Sequence, residues 1–147
     1  MVYLIVRSYS FVPLLRSFLL YNTFMDILKR LRRSFGYACE GIYYALKYNL
    51  TLRVHFIAAV FVIFVSIIFQ VSSFEMGILG VMILLVISAE MINTSLEEMV
   101  DLITKEHKKE AKIAKDVAAG MVLVISLGSV IVGILIFLPH ILRLFRW

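Results

Sequence analysis

Apolar and polar positions along this chain fall into long blocks rather than a short alternation. Uncharged apolar runs cover Phe56–Phe69, Met76–Ala89 and Val117–Leu138, each bounded by polar or charged residues. With the polar approach Tyr48–His55, the first run predicts a helix over about 50–71, roughly 20 residues and so enough to cross a hydrocarbon core about 30 Å thick. The second continues past Ala89 without a helix breaker and predicts a helix over about 76–103, longer than the core requires. Val117–Leu138 predicts the third, with Pro139 expected to end it. Ser129 and Gly133, one turn apart on it, offer a small-residue face for close helix contact.

Ahead of these runs the pattern changes. Leu28, Leu31, Phe35, Ala38, Ile42 and Ala45 recur at spacings of three and four, which predicts an amphipathic helix over about 26–48. Lys29, Arg30, Arg32 and Arg33 crowd its start, so it is too polar to span and should lie at an anionic membrane surface. Residues 1–24 are apolar but broken by Arg7, Pro13 and Arg16, and neither piece reaches spanning length. They read as an extension of doubtful role before a domain over 25–147. The expected class is therefore all-α: a surface helix and three transmembrane helices.

Composition agrees. Of 147 residues, 62% are hydrophobic, against about 45–50% in soluble domains. A single cysteine, Cys39, cannot form an internal disulfide. The net charge of +5 does not point to nucleic acid, because the bases sit in short segments beside the apolar runs. Four lie at the start of the amino-terminal helix, five lysines lie between Lys105 and Lys115, and Arg143 and Arg146 lie at the tail. The link Gln70–Glu75 has neither lysine nor arginine. This bias predicts a multi-pass protein of the bacterial cytoplasmic membrane. Its amino-terminal helix and second-to-third-helix loop would face the cytoplasm, and its carboxyl end the outside.

The second apolar helix carries the candidate chemistry. Glu90, Asn93, Glu97 and Asp101 follow at intervals of three, four and four, placing them within an arc of about 80° and along about 16 Å of helix. Thr94 lies just beyond that arc and Glu98 farther out. Counting from Glu75, Glu90 is about 22 Å along the helix, buried but near the cytoplasmic side, with Asp101 beyond the boundary. Carboxylates near lipid cost about 2.5–3.5 kcal/mol each at mid-membrane, so a cation is the simplest partner. Hard carboxylate oxygens suit magnesium, which is usually held by one or two carboxylates plus substrate phosphates. No Walker loop, zinc spacing or nucleophile elbow occurs. The stripe, with Lys115 and Asp116 at the mouth of the third helix, suits phosphoryl transfer from Mg·ATP to a hydroxyl in the bilayer, with Glu90 as base. An ion transporter or channel subunit and a scaffold without chemistry are the alternatives. A helix cap is the plainer reading of Asp116, and headgroup contact that of Arg53 and His55.

Glu90-x-x-Asn93-x-x-x-Glu97-x-x-x-Asp101 followed by Ala114-Lys115-Asp116 resembles the prokaryotic diacylglycerol kinase family. The likeness runs over about residues 25–141, and Ala-Lys-Asp-Val-Ala-Ala-Gly with Arg53-Val-His55 looks closer to its Gram-positive undecaprenol kinase branch. The resemblance implies a homotrimer that shares active sites between subunits and uses Mg·ATP to phosphorylate a membrane lipid alcohol. It implies Glu90 as general base, Glu97 as main magnesium ligand, and Asn93 and Asp101 holding nucleotide and metal. Lys115 and Asp116 would bind ATP, with Arg30, Tyr37 and Glu106 near the nucleotide, and Arg53 and His55 beside the lipid. The family usually carries a glutamate where this chain has Asn49, sharing the metal with the residue matching Glu97. Asn49 is thus expected to be an uncharged metal ligand, and Asn49→Glu to lower the magnesium requirement. Impaired activity, leaving a membrane scaffold, is the corresponding alternative.

Overall fold

The structure, a computed structural model, describes residues 2–144, and the side chains of residues 21, 23–143. It is all-helical over those residues, with α1 at Val2–Tyr48, α2 at Leu50–Ile68, α3 at Ser73–Ile103 and α4 at Lys109–Leu144. Two compact units are distinguished, residues 1–43 and residues 44–147. In the first, α1 shows Leu28, Leu31, Phe35 and Ile42 exposed, and Lys29 lies 3.9 Å from Asp26 one turn before it. The predicted start near Asp26 is not a helix boundary: α1 already runs from Val2.

In the second unit α3 is central and packs against both α2 and α4. The apolar and hydroxyl residues buried among these helices are few and many are small: Ala59 and Ser66 on α2, Ala89 on α3, Ala118 on α4, with Leu52, Leu79, Val86, Val122 and Ile136. Small side chains let helix backbones approach closely, which is how helices associate where lipid removes the hydrophobic drive between them. The large apolar side chains, among them Ile57, Phe61, Leu84, Val124 and Leu135, point outward instead. Three helices, Leu50–Ile68, Ser73–Ile103 and the α4 stretch Lys109–Arg143, are long and apolar enough to cross a membrane.

The helix ends explain where the structure departs from the expected limits. α2 stops at Ile68 because the chain turns in a Schellman arrangement: Val71 N–H donates to the Ser66 carbonyl at 3.0 Å and Gln70 N–H to Ile67 at 3.2 Å. Gln70 takes the left-handed conformation at φ 50° that glycine usually fills there. α3 starts at Ser73 rather than near Met76 because Ser72 and Glu75 form a reciprocal capping box. α4 begins at Lys109, so Asp116 lies about two turns inside it and is not its cap. Nor does Pro139 end it; the helix continues to Leu144, and the His140 Nδ1–H donates to the Ile136 carbonyl at 2.9 Å beside the interrupted ladder.

Candidate functional site

The acidic stripe occupies the half of α3 that follows its apolar run, and the first residues of α2 and the last of α1 meet it. Glu90 is 2% exposed and Asn93 6%. Together with Thr94, Glu97 and Glu98 on α3, Tyr44 and Tyr48 on α1, and Asn49 and Thr51 at the start of α2, they line an open polar cleft of about 290 Å³. The 3.6-residue period of α3 turns Glu90, Asn93 and Glu97 into it. The break at Asn49 between α1 and α2 brings the opposite wall within hydrogen-bond reach.

Asn49 knits the cleft together. As the α2 N-cap it takes an extended conformation, and its Oδ1 accepts from the Leu52 amide at 3.0 Å. Its Nδ2 donates to Glu90 Oε1 at 3.0 Å and to Thr94 Oγ1 at 2.6 Å. Thr94 in turn donates to the Glu90 carbonyl at 2.9 Å. The oxygen expected to face a metal is therefore engaged by a backbone amide.

Asn93 donates through Nδ2 to Glu97 Oε1 at 3.0 Å, while its Oδ1 is buried without a hydrogen-bond partner. A buried acceptor left unpaired is costly, about 1–3 kcal/mol, and a carboxamide oxygen beside a carboxylate is a donor set that suits a hard divalent cation. Among the described residues no three of His, Cys, Asp or Glu converge as a cation-binding group. Magnesium needs only one or two carboxylates when substrate phosphates complete its shell, so Glu97 with Asn93 fits it.

Further along the helix the chemistry turns cationic. Asp101, Glu106, His107, Lys108, Lys112, Lys115 and Asp116 line a second open cleft of about 590 Å³ formed by the α3 end, the link and the start of α4. Within it Lys115 Nζ lies 2.6 Å from Asp101 Oδ1 and Lys108 lies 3.2 Å from Glu106. Glu97 to Asp101 is one helical turn, so the two clefts follow each other along a single face of α3.

The remaining expected residues fall elsewhere. His55 lines an apolar groove of about 770 Å³ between α2 and α4, with Val62, Phe69, Ser129, Gly133 and Phe137 among its walls. Arg53 is exposed in the first turn of α2. Arg30 and Tyr37 are exposed on α1 in the other compact unit.

Tyr44 and Glu98, outside the expected site set, meet at the cleft. Tyr44 donates its hydroxyl to Glu98 Oε1 at 3.3 Å, a pair 54 positions apart along the chain that no periodicity links. The Glu98 charge beside it holds the phenol above its ordinary pKa, so it remains a donor throughout the neutral range.

Comparison with known proteins identifies the family. A family model described as prokaryotic diacylglycerol kinase matches residues 36–137. An undecaprenol kinase of Bacillus subtilis is 39% identical over 112 residues, covering 76% of this chain and 91% of that protein. A diacylglycerol kinase of Synechocystis is 38% identical over 112 residues, covering 76% of this chain and 64% of that protein. The chain belongs to the prokaryotic diacylglycerol kinase family and is by that membership a lipid kinase.

Proposed function

We propose that this enzyme transfers the γ-phosphoryl group of Mg·ATP to the hydroxyl of a membrane lipid alcohol, undecaprenol in preference to diacylglycerol. The observation that carries the reading is the order of groups along one face of α3. The nearly inaccessible carboxylate Glu90 comes first, then Asn93 and Glu97, then Asp101 paired with Lys115 in a cleft rich in lysine. A base at the lipid end and cations at the water end are what a transfer between a bilayer alcohol and a soluble nucleotide requires.

Glu90 takes the proton from the lipid hydroxyl as its oxygen attacks the γ-phosphorus; the new O–P bond forms as the bond to the β-phosphate oxygen breaks, and ADP leaves. Glu97 and the unpartnered Asn93 Oδ1 would hold magnesium, which would neutralise phosphate charge when bound. Lys115 exchanges Asp101 for phosphate oxygens, with Asp116 and Glu106 bordering the nucleotide. The apolar groove that begins at His55 offers a bed for the lipid tail about one and a half turns from Asn49, with Arg53 at the headgroup level. The undecaprenol preference is supported by the relative that this chain matches over 91% of its length.

For the assembly we propose a homotrimer in the bacterial cytoplasmic membrane, with α1 on the cytoplasmic surface and the carboxyl end outside. The exposed apolar face of α1 and the lysine-rich link before α4 support that orientation.

The test uses purified protein, radiolabelled ATP and mixed micelles offering each alcohol in turn. Label should enter undecaprenol faster than diacylglycerol. Glu90→Gln should lower turnover by about 10²–10⁴-fold while ATP still binds. Folded, ATP-binding protein that labels neither alcohol refutes the reading.

A further inference from the structure

We infer that Asn49 is a positioning residue for Glu90, joining the first turn of α2 to the proposed base, and that it is not a metal ligand. The inference rests on the assignment of Glu90 to proton transfer.

Both ends of the Asn49 carboxamide are committed, and their partners fix which end is which. The Leu52 backbone N–H, 3.0 Å away, can only donate, so the oxygen must face it. The group 3.0 Å from the other end is a Glu90 carboxylate oxygen, which accepts. Exchanging the ends would set a donor against a donor and an acceptor against an acceptor. The cleft therefore receives an N–H from Asn49, which repels a cation. Thr94 extends the arrangement: it accepts from the same Nδ2 at 2.6 Å and donates to the Glu90 carbonyl at 2.9 Å. Side chain and backbone of Glu90 are both held, the first by Asn49 and the second by Thr94.

The mechanical consequence follows from where Asn49 sits. It caps α2 with one end and grips a residue of α3 with the other, so the rotamer of Glu90 is tied to the position of the α2 start. Glu90 is 2% exposed and has little water to orient it. A base must lie within hydrogen-bond reach of the hydroxyl it deprotonates, and a carboxylate free to rotate would spend much of its time elsewhere.

Two substitutions separate this role from a metal-binding one. Asn49→Ser keeps a side-chain oxygen for the Leu52 amide but has no donor long enough for Glu90. Asn49→Asp keeps the cap and the size, removes the donor and offers the carboxylate a metal would prefer. Turnover, KM for undecaprenol, ATP affinity and the magnesium concentration for half-maximal rate are measured for both in mixed micelles, with thermal unfolding as the fold control.

In both variants kcat should fall by about ten- to a hundredfold, with ATP affinity and magnesium requirement unchanged. In a Glu90→Gln background, Asn49→Ser should leave the residual turnover where it is, since the group it positions is gone. Wild-type kcat in Asn49→Ser, or a lower magnesium requirement in Asn49→Asp, overturns the inference. So does a further fall in the Glu90→Gln background, which marks a general structural role. Wild-type protein that phosphorylates neither alcohol refutes the proposed function and this inference with it; active wild type with indifferent Asn49 variants refutes the inference alone.

Discussion

On α3, Asn93 sits at a structural disadvantage that the proposed magnesium would remove. Asn93 is buried, donates to Glu97 and leaves its oxygen unpaired. Replacing it by leucine, similar in size, removes the unpaired acceptor. The fold should then be as stable as wild type or slightly more so, while the magnesium concentration for half-maximal activity rises by about tenfold or more. Thermal unfolding and a magnesium titration of turnover check the two halves separately. Lys115 is the corresponding residue on the proposed nucleotide side. Its ion pair with Asp101 is partly exposed and so contributes little to stability. Lys115→Met should therefore leave the melting temperature unchanged but raise KM for ATP about tenfold, read by initial rates at varied ATP. At this scale the sequence was informative about type but not partner. The spacing of Glu90, Asn93, Glu97 and Asp101 shows that they share a face; the engagement of Asn49 by Leu52 and Glu90 does not follow from any spacing.

At the scale of elements, what decides a boundary is local hydrogen-bond chemistry that hydropathy does not register. Ser72 and Glu75 stand three apart, a capping-box spacing, and they begin α3 before the apolar run does. Ser72→Ala should destabilise the folded protein by about 1 kcal/mol. The turn before it contains the one non-glycine residue with positive φ among the described residues, Gln70. A side chain in that conformation costs about 1–2 kcal/mol, part of which glycine's looser unfolded chain offsets. Gln70→Gly should raise stability by about 0.5–1 kcal/mol, measured by thermal unfolding in detergent beside Ser72→Ala as the opposite-sign control. Pro139 and Asp116 are residues whose usual meaning, helix end and helix cap, is overridden. α4 continues through the first and begins well before the second, because in a long apolar helix satisfying the backbone outweighs one missing N–H.

At the scale of the whole molecule, the open groove between α2 and α4 is the feature to test. A methyl placed on Gly133 would meet nothing within 4 Å, so the small face formed with Ser129 is not used inside one protomer. That face lies in the groove proposed above for the lipid tail. Gly133→Leu should leave ATP binding and folding intact while raising KM for undecaprenol, read by initial rates in mixed micelles. Orientation can be read from Cys39, the lone cysteine, exposed on α1. A membrane-impermeant maleimide should label it in inside-out vesicles and not in intact cells.

The class, three membrane-length apolar helices and the single face that bears the acids are legible in the residues alone, because length, hydropathy and a 3.6-residue period are properties of local chain. The motif on that face, with Lys115 and Asp116 beyond it, was also enough to indicate the family. Only the tertiary structure decided what the acids touch. It set Asn49 against Glu90 across 41 positions, Tyr44 against Glu98 across 54, and left Asn93 Oδ1 buried without a partner. Such pairings depend on how α3 is wedged between its neighbours and where α1 breaks into α2, and no local pattern encodes those distances.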